Sequence, residues 1–110
     1  MSTTLGALER VIAERMAAPP GARSYVRSLL DGGVAKIGGK VVEEAAEVVE
    51  AAGEPGDPGR VHLVHEAADL VFHLMVMLAA RDIPLAEVEA ELARRFGVGG
   101  LDEKAARVNT

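Results

Sequence analysis

Apolar residues recur along this chain at three- and four-residue intervals, the period of a helix packed on one side. Leu5, Leu8, Val11, Ile12 and Met16 predict a first helix over about 4–17, and Pro19-Pro20-Gly21 stops it. Ser24 suits the N-cap of a short helix running to Leu30, which Asp31-Gly32-Gly33 ends. A long helix is expected over about 34–52, closed by Gly53 and the loop EPGDPGR. A further helix is expected over roughly 60–81. Pro84 opens the last one, which Leu85, Val88, Leu92 and Phe96 carry to Gly97. No stretch alternates at period two over the length of a strand. The pattern predicts an all-α bundle of four to five helices in a single domain spanning 1–110, with 97–110 a peripheral tail.

On a wheel of about 100° per residue, Val34, Ile37, Val41, Ala45, Val48 and Ala52 cluster in one direction and predict a core face. Val42, Ala46 and Val49 widen the apolar arc, so the helix is expected to meet more than one neighbour. Gly38-Gly39, inside the same helical pattern, suits a bend or close packing. The next helix has no Lys or Arg from Val61 to Ala80, and its ionisable residues His62, His65, Glu66, Asp69 and His73 share one arc. A helix this apolar is expected to be buried on most sides, its polar stripe turned to the interior or a cleft.

Composition narrows the chemistry. Aromatic residues make up 3% of the 110 and Trp is absent, so the core is built from Ala, Val, Leu, Ile and Met. The net charge of -5, with no Lys/Arg cluster, argues against a nucleic-acid partner. Cysteine is absent, which excludes disulfides, thiolate metal sites and cysteine nucleophiles. The start, MSTTLGALER, has no signal-like apolar run, and Leu70–Ala80 is short of the roughly 20 residues of a membrane span. A cytoplasmic setting away from membranes is expected.

Carboxylates in a buried stripe need a partner, and this helix offers no base. A divalent cation is the alternative, and oxygen ligands without thiolates point to Mg²⁺, or Mn²⁺. Glu44 with Glu47 and Glu66 with Asp69 are each at i, i+3, so an antiparallel hairpin brings four carboxylates together. Glu43 and Glu50 fit a solvated face. His73 fits substrate binding, support of a ligand, or a satisfied core position. His62 and His65 belong near the surface. Lys36 and Lys40 suit phosphate contacts or pairing with Glu43 and Glu44, Lys40 to Glu44 being the clearest pair. Tyr25 and Phe72 are the aromatic residues available for base stacking, and Tyr25 fits helix packing equally. No Glu is followed by His three residues on, against a carboxylate-bridged di-iron bundle. No GxxxxGK[ST] phosphate loop is present.

EEAAE at 43–47 followed by EAAD at 66–69 resembles the EExxE…ExxD pattern of the MazG-like nucleotide pyrophosphohydrolases. SYVRSLLDGG, KVVEEAAEVVEAA, EAADLVFHLMVMLAARDIPLAEVEAELARRF and LDEKAAR narrow the likeness to the phosphoribosyl-ATP pyrophosphohydrolases, over about 24–107. The resemblance implies Mg²⁺-dependent hydrolysis of phosphoribosyl-ATP to phosphoribosyl-AMP and pyrophosphate, in histidine biosynthesis. It implies Glu44, Glu47, Glu66 and Asp69 as metal ligands, with Glu43, Glu44 and Glu47 the catalytic acids and Glu43 orienting the attacking water. Lys40 is the better phosphate contact, with Lys36, His73 and Tyr25 the other candidates for the substrate. A homodimer, or a tetramer of dimers, is implied as well. The chain departs from the family's frequent KKVGEE in reading GKVVEE, with one lysine fewer and Val42 in place of glycine. Competing readings are a dCTP- or dUTP-type pyrophosphohydrolase and a non-catalytic helical dimer.

Overall fold

The structure, a computed structural model, describes residues 3–19 and 21–97. It contains four helices and no strand among these residues: α1 (Thr4–Met16), α2 (Tyr25–Ala52), α3 (Gly56–Ala80) and α4 (Leu85–Phe96). The expected C-terminal tail lies, beyond Gly97, outside the described residues.

Each boundary has a local cause. Thr3 caps α1 by accepting from the Gly6 N–H at 2.9 Å, and Ser24 caps α2 by accepting from Arg27 N–H at 3.0 Å. The short and long helices expected at 24–30 and 34–52 form one run broken at Gly33, where φ is 75°. Only glycine takes that left-handed conformation without strain. Lys36 bridges the break, its Nζ donating to Ser28 Oγ at 2.8 Å and to the Ser28 carbonyl at 3.3 Å. The bend is therefore at Gly33, while Gly38 and Gly39 remain helical.

The third helix begins at Gly56, earlier than the expected start near 60. Pro58 lies in its first turn, where a missing N–H costs nothing. Gly59 is buried, and a Cβ there would run into the Glu54 carbonyl. Close passage of the α2–α3 turn depends on that glycine. In α4, Pro84 supplies no side-chain cap. Glu9 of α1 does so instead, its Oε2 accepting from Leu85 N–H at 2.6 Å.

Helices α2 and α3 form an antiparallel hairpin that dominates the packing. The seam on α2 runs through Ile37, Val41, Glu44, Val48 and Ala51, a seven-residue repeat of coiled-coil type. Ile37, Glu44 and Ala51 are buried along it. The expected core face is centred elsewhere: Val34, Ala45 and Ala52 are exposed. Glu44 takes a core position that hydropathy would reserve for an apolar residue. On α3, Gly59, Glu66 and His73 are buried at seven-residue intervals, with Met75 and Val76 below them. Ile12 of α1 closes one end of the core over Val26, Leu29 and Val76.

One chain does not bury α3 on most sides. Val61, Val64, Val71 and Leu74 are exposed, as are Val42 and Val49 of α2 at 71% and 74%. Among the described helices α3 is the one long and apolar enough to cross a membrane. Of its polar stripe, Glu66 and His73 are buried against α2, while His65 is exposed.

Candidate metal and substrate site

The hairpin seam brings three carboxylates into one place. Glu44, Glu47 and Glu66 each offer an oxygen, all within 4.8 Å of one another. Glu44 is 8% exposed and Glu66 7%, and the Oε2 atom of each is buried with no donor within hydrogen-bond reach. Asp69 belongs to a second, overlapping group with His65 and Glu66, again within 4.8 Å. The four expected acids therefore lie in two groups that share Glu66.

Electrostatics at this point are unfavourable for the bare acids. The Glu66 pKa is raised from 4.5 to about 7, by hydrogen bonding of its protonated form to Glu47 and then Glu44, with burial adding to it. Carboxylates that close hold a proton between them or need a cation. Two buried oxygens without a donor, among hard oxygen groups and no thiol, fit a divalent cation. The residues present fit Mg²⁺ or Mn²⁺.

Two histidines missing from the expected site border it. His62 Nδ1 lies 2.9 Å from Glu54 Oε1, and its Nε2 lies 3.4 Å from Glu66 Oε1. Its pKa is raised, chiefly by the hydrogen bond with Glu54. His65 Nε2 lies 3.4 Å from Asp69 Oδ2. His62 with Glu66 and His65 with Asp69 both follow the i, i+4 spacing, a signal that the amino-acid sequence carries by itself. The Glu54 contact has no such signal, because it depends on the fold of the α2–α3 turn.

Lys40 pairs with Glu43 at 3.5 Å and not with Glu44, since Glu44 is turned into the seam while Glu43 remains outside. Its pKa is raised, first by Glu43 and next by Tyr25. Lys36 is tied to Ser28 and stays exposed. Glu50 is solvated.

His73 is buried at 5% exposure, and both its nitrogens are engaged. Nδ1 lies 2.8 Å from the Asp69 carbonyl and Nε2 lies 2.7 Å from the Tyr25 hydroxyl. Tyr25, Phe72 and His73 also form an aromatic group. A cluster of acids, a flanking ammonium and an exposed ring lie in sequence along the hairpin.

This geometry can be set beside known proteins. Residues 5–96 match the family model described as phosphoribosyl-ATP pyrophosphohydrolase. The chain is 57% identical to a phosphoribosyl-ATP pyrophosphatase of Novosphingobium aromaticivorans over 105 residues, covering 96% of this chain and 94% of that one. It is 55% identical to the protein of the same name from Rhodopirellula baltica over 84 residues, 76% of this chain and 70% of the relative. A Neisseria meningitidis relative of that name is 45% identical over 108 residues, 98% of this chain and 97% of its own.

Proposed function

The chain belongs to the phosphoribosyl-ATP pyrophosphohydrolase family, and from that premise we propose how its hairpin performs the reaction. It hydrolyses phosphoribosyl-ATP to phosphoribosyl-AMP and pyrophosphate, a step of histidine biosynthesis. The observation that carries the site assignment is the pair of buried carboxylate oxygens on Glu44 and Glu66 that no donor satisfies.

Glu44, Glu47 and Glu66 would hold Mg²⁺, with Asp69 completing the set from the group that shares Glu66. When bound, the cation supplies neutralisation of charge on the triphosphate and favours an attacking water at neutral pH. Glu43, next to Glu44 in the chain and exposed, would orient that water. Lys40 holds the polyphosphate as a point charge, its ammonium kept fully protonated by Glu43. Burial of Glu44 and Glu66 in the seam fixes their carboxylates before substrate arrives, so little ordering remains to be done during reaction.

The working form is a homodimer. The exposed Val42 and Val49 of α2 and Val61, Val64 and Val71 of α3 support that reading, because a lone chain leaves these faces in water. The cytoplasm is the expected setting for an enzyme of this biosynthetic family.

Pyrophosphate release with Mg²⁺ tests the substrate, phosphoribosyl-ATP being set against ATP, dCTP and dUTP. Preferential cleavage of phosphoribosyl-ATP supports the reading. Equal or better cleavage of a plain triphosphate overturns the substrate and leaves the acids in place.

A further inference from the structure

We propose that the open face of Tyr25 is the subsite for the adenine ring of the substrate, and that His73 is the positioning residue that holds it there. The inference rests on the substrate reading above and adds the group that receives the base.

Tyr25 is held by two neighbours, His73 and Phe72. The Asp69 carbonyl can only accept, so His73 Nδ1 carries the proton in that 2.8 Å bond. In the neutral ring Nε2 is then bare, and the Tyr25 hydroxyl donates to it at 2.7 Å. Phe72 lies nearly parallel to the phenol, with centroids 6.0 Å apart and planes 19° apart. His73 meets it edge-on at 5.6 Å. Despite these restraints Tyr25 remains 48% exposed. An aromatic ring ordered in advance and left open loses little freedom when another ring stacks on it.

Its location suits a nucleotide. Through His73 the phenol is tied to the carbonyl of Asp69, on the turn of α3 that also carries Glu66. In chain order along α2, Lys40 falls between Tyr25 and the acids Glu43, Glu44 and Glu47, and it pairs with Glu43 at 3.5 Å. Phosphates drawn to the acids and Lys40 thus direct the base of the same molecule toward Tyr25. The alternatives are few: the chain has one Tyr, two Phe and no Trp, and the other Phe ends α4. Stacking tolerates any flat base, so this platform supplies affinity, with selection left to other groups.

Because Tyr25 is the only tyrosine and Trp is absent, the intrinsic emission of the protein reports this ring alone. The emission lifetime of the unaltered full chain, followed without Mg²⁺, is expected to shorten saturably with AMP. Ribose 5-phosphate and pyrophosphate are expected to leave it unchanged. In steady state, Tyr25→Leu raises KM for phosphoribosyl-ATP roughly tenfold with kcat little changed, and Tyr25→Trp restores KM. His73→Leu frees the phenol, lengthening its range of motion in emission anisotropy while KM rises. A lifetime indifferent to AMP, in a protein that does cleave phosphoribosyl-ATP, overturns the subsite and leaves the substrate reading intact. A saturable AMP response in a protein inactive on phosphoribosyl-ATP does the reverse. A lifetime that follows protein dilution and ignores AMP overturns the subsite, the ring then being covered by a second copy.

Discussion

Glu44 and Glu66 meet across the α2–α3 seam from positions that a helical hairpin normally gives to leucine or valine, each with one oxygen that no donor reaches. The pair is costly to the bare fold and useful to the loaded one.

That opposition makes Glu66→Gln informative. The amide relieves repulsion with Glu44 and Glu47, so the metal-free variant is expected to melt at a higher temperature than the metal-free parent. Turnover is expected to fall by at least about 100-fold, and the stabilisation that Mg²⁺ gives the parent to disappear. Thermal melts with and without Mg²⁺, alongside a turnover assay, check all three. A variant that keeps both activity and metal stabilisation would show that Glu66 is no ligand.

Stability should vary with pH in a direction set by the same residue. With the Glu66 pKa raised from 4.5 to about 7, the folded chain binds more protons than the unfolded chain between those values. Its contribution favours the fold at low pH and is lost as pH rises toward 7. The raised pKa of His62 acts in the same sense, its contribution being complete below 6.5 and lost as pH rises through the folded value. The metal-free protein is expected to lose melting temperature on going from pH 5 to pH 8. Saturating Mg²⁺ takes the place of the proton and flattens that slope. Parallel slopes with and without Mg²⁺ would contradict it.

Glu9→Ala is expected to cost about 1 kcal/mol, the usual value of a lost helix cap, since it removes the acceptor for Leu85 N–H. Urea unfolding measures it. The acid cluster is on other helices, so the activity of the folded variant should be unchanged.

Val42→Glu and Val49→Glu place charge on the exposed apolar face of α2. Light scattering after gel filtration is expected to show the parent as a dimer and the double variant as a monomer. A parent that runs as a monomer would mean that these valines face a different partner.

Much of this is legible in the chain. Ser24 and Gly33 announce where α2 starts and breaks, because each meets a local requirement: an acceptor for a free N–H, and a left-handed φ. The i, i+3 spacings announce Glu44, Glu47 and Glu66 as acids that converge, while Asp69 groups with His65 and Glu66 and Glu43 stays outside. Hydropathy misplaces the core face of α2 for a physical reason. Averaging around the wheel treats Glu44 as a surface residue and turns the seam away from it, although Glu44 is among the buried side chains. Glu9 capping a helix that begins 76 positions later, and Glu54 reaching His62 around a turn, depend on tertiary geometry that no local spacing encodes.

Gly33 divides α2 into two levers, and Lys36 latches one to the other at Ser28. The N-terminal lever carries Val26 and Leu29, on which Ile12 of α1 rests, and also Tyr25. The C-terminal lever carries Lys40, Glu43, Glu44 and Glu47. The angle at this one pivot therefore sets how the end of α2 that bears Tyr25 is directed relative to the end that bears the acids.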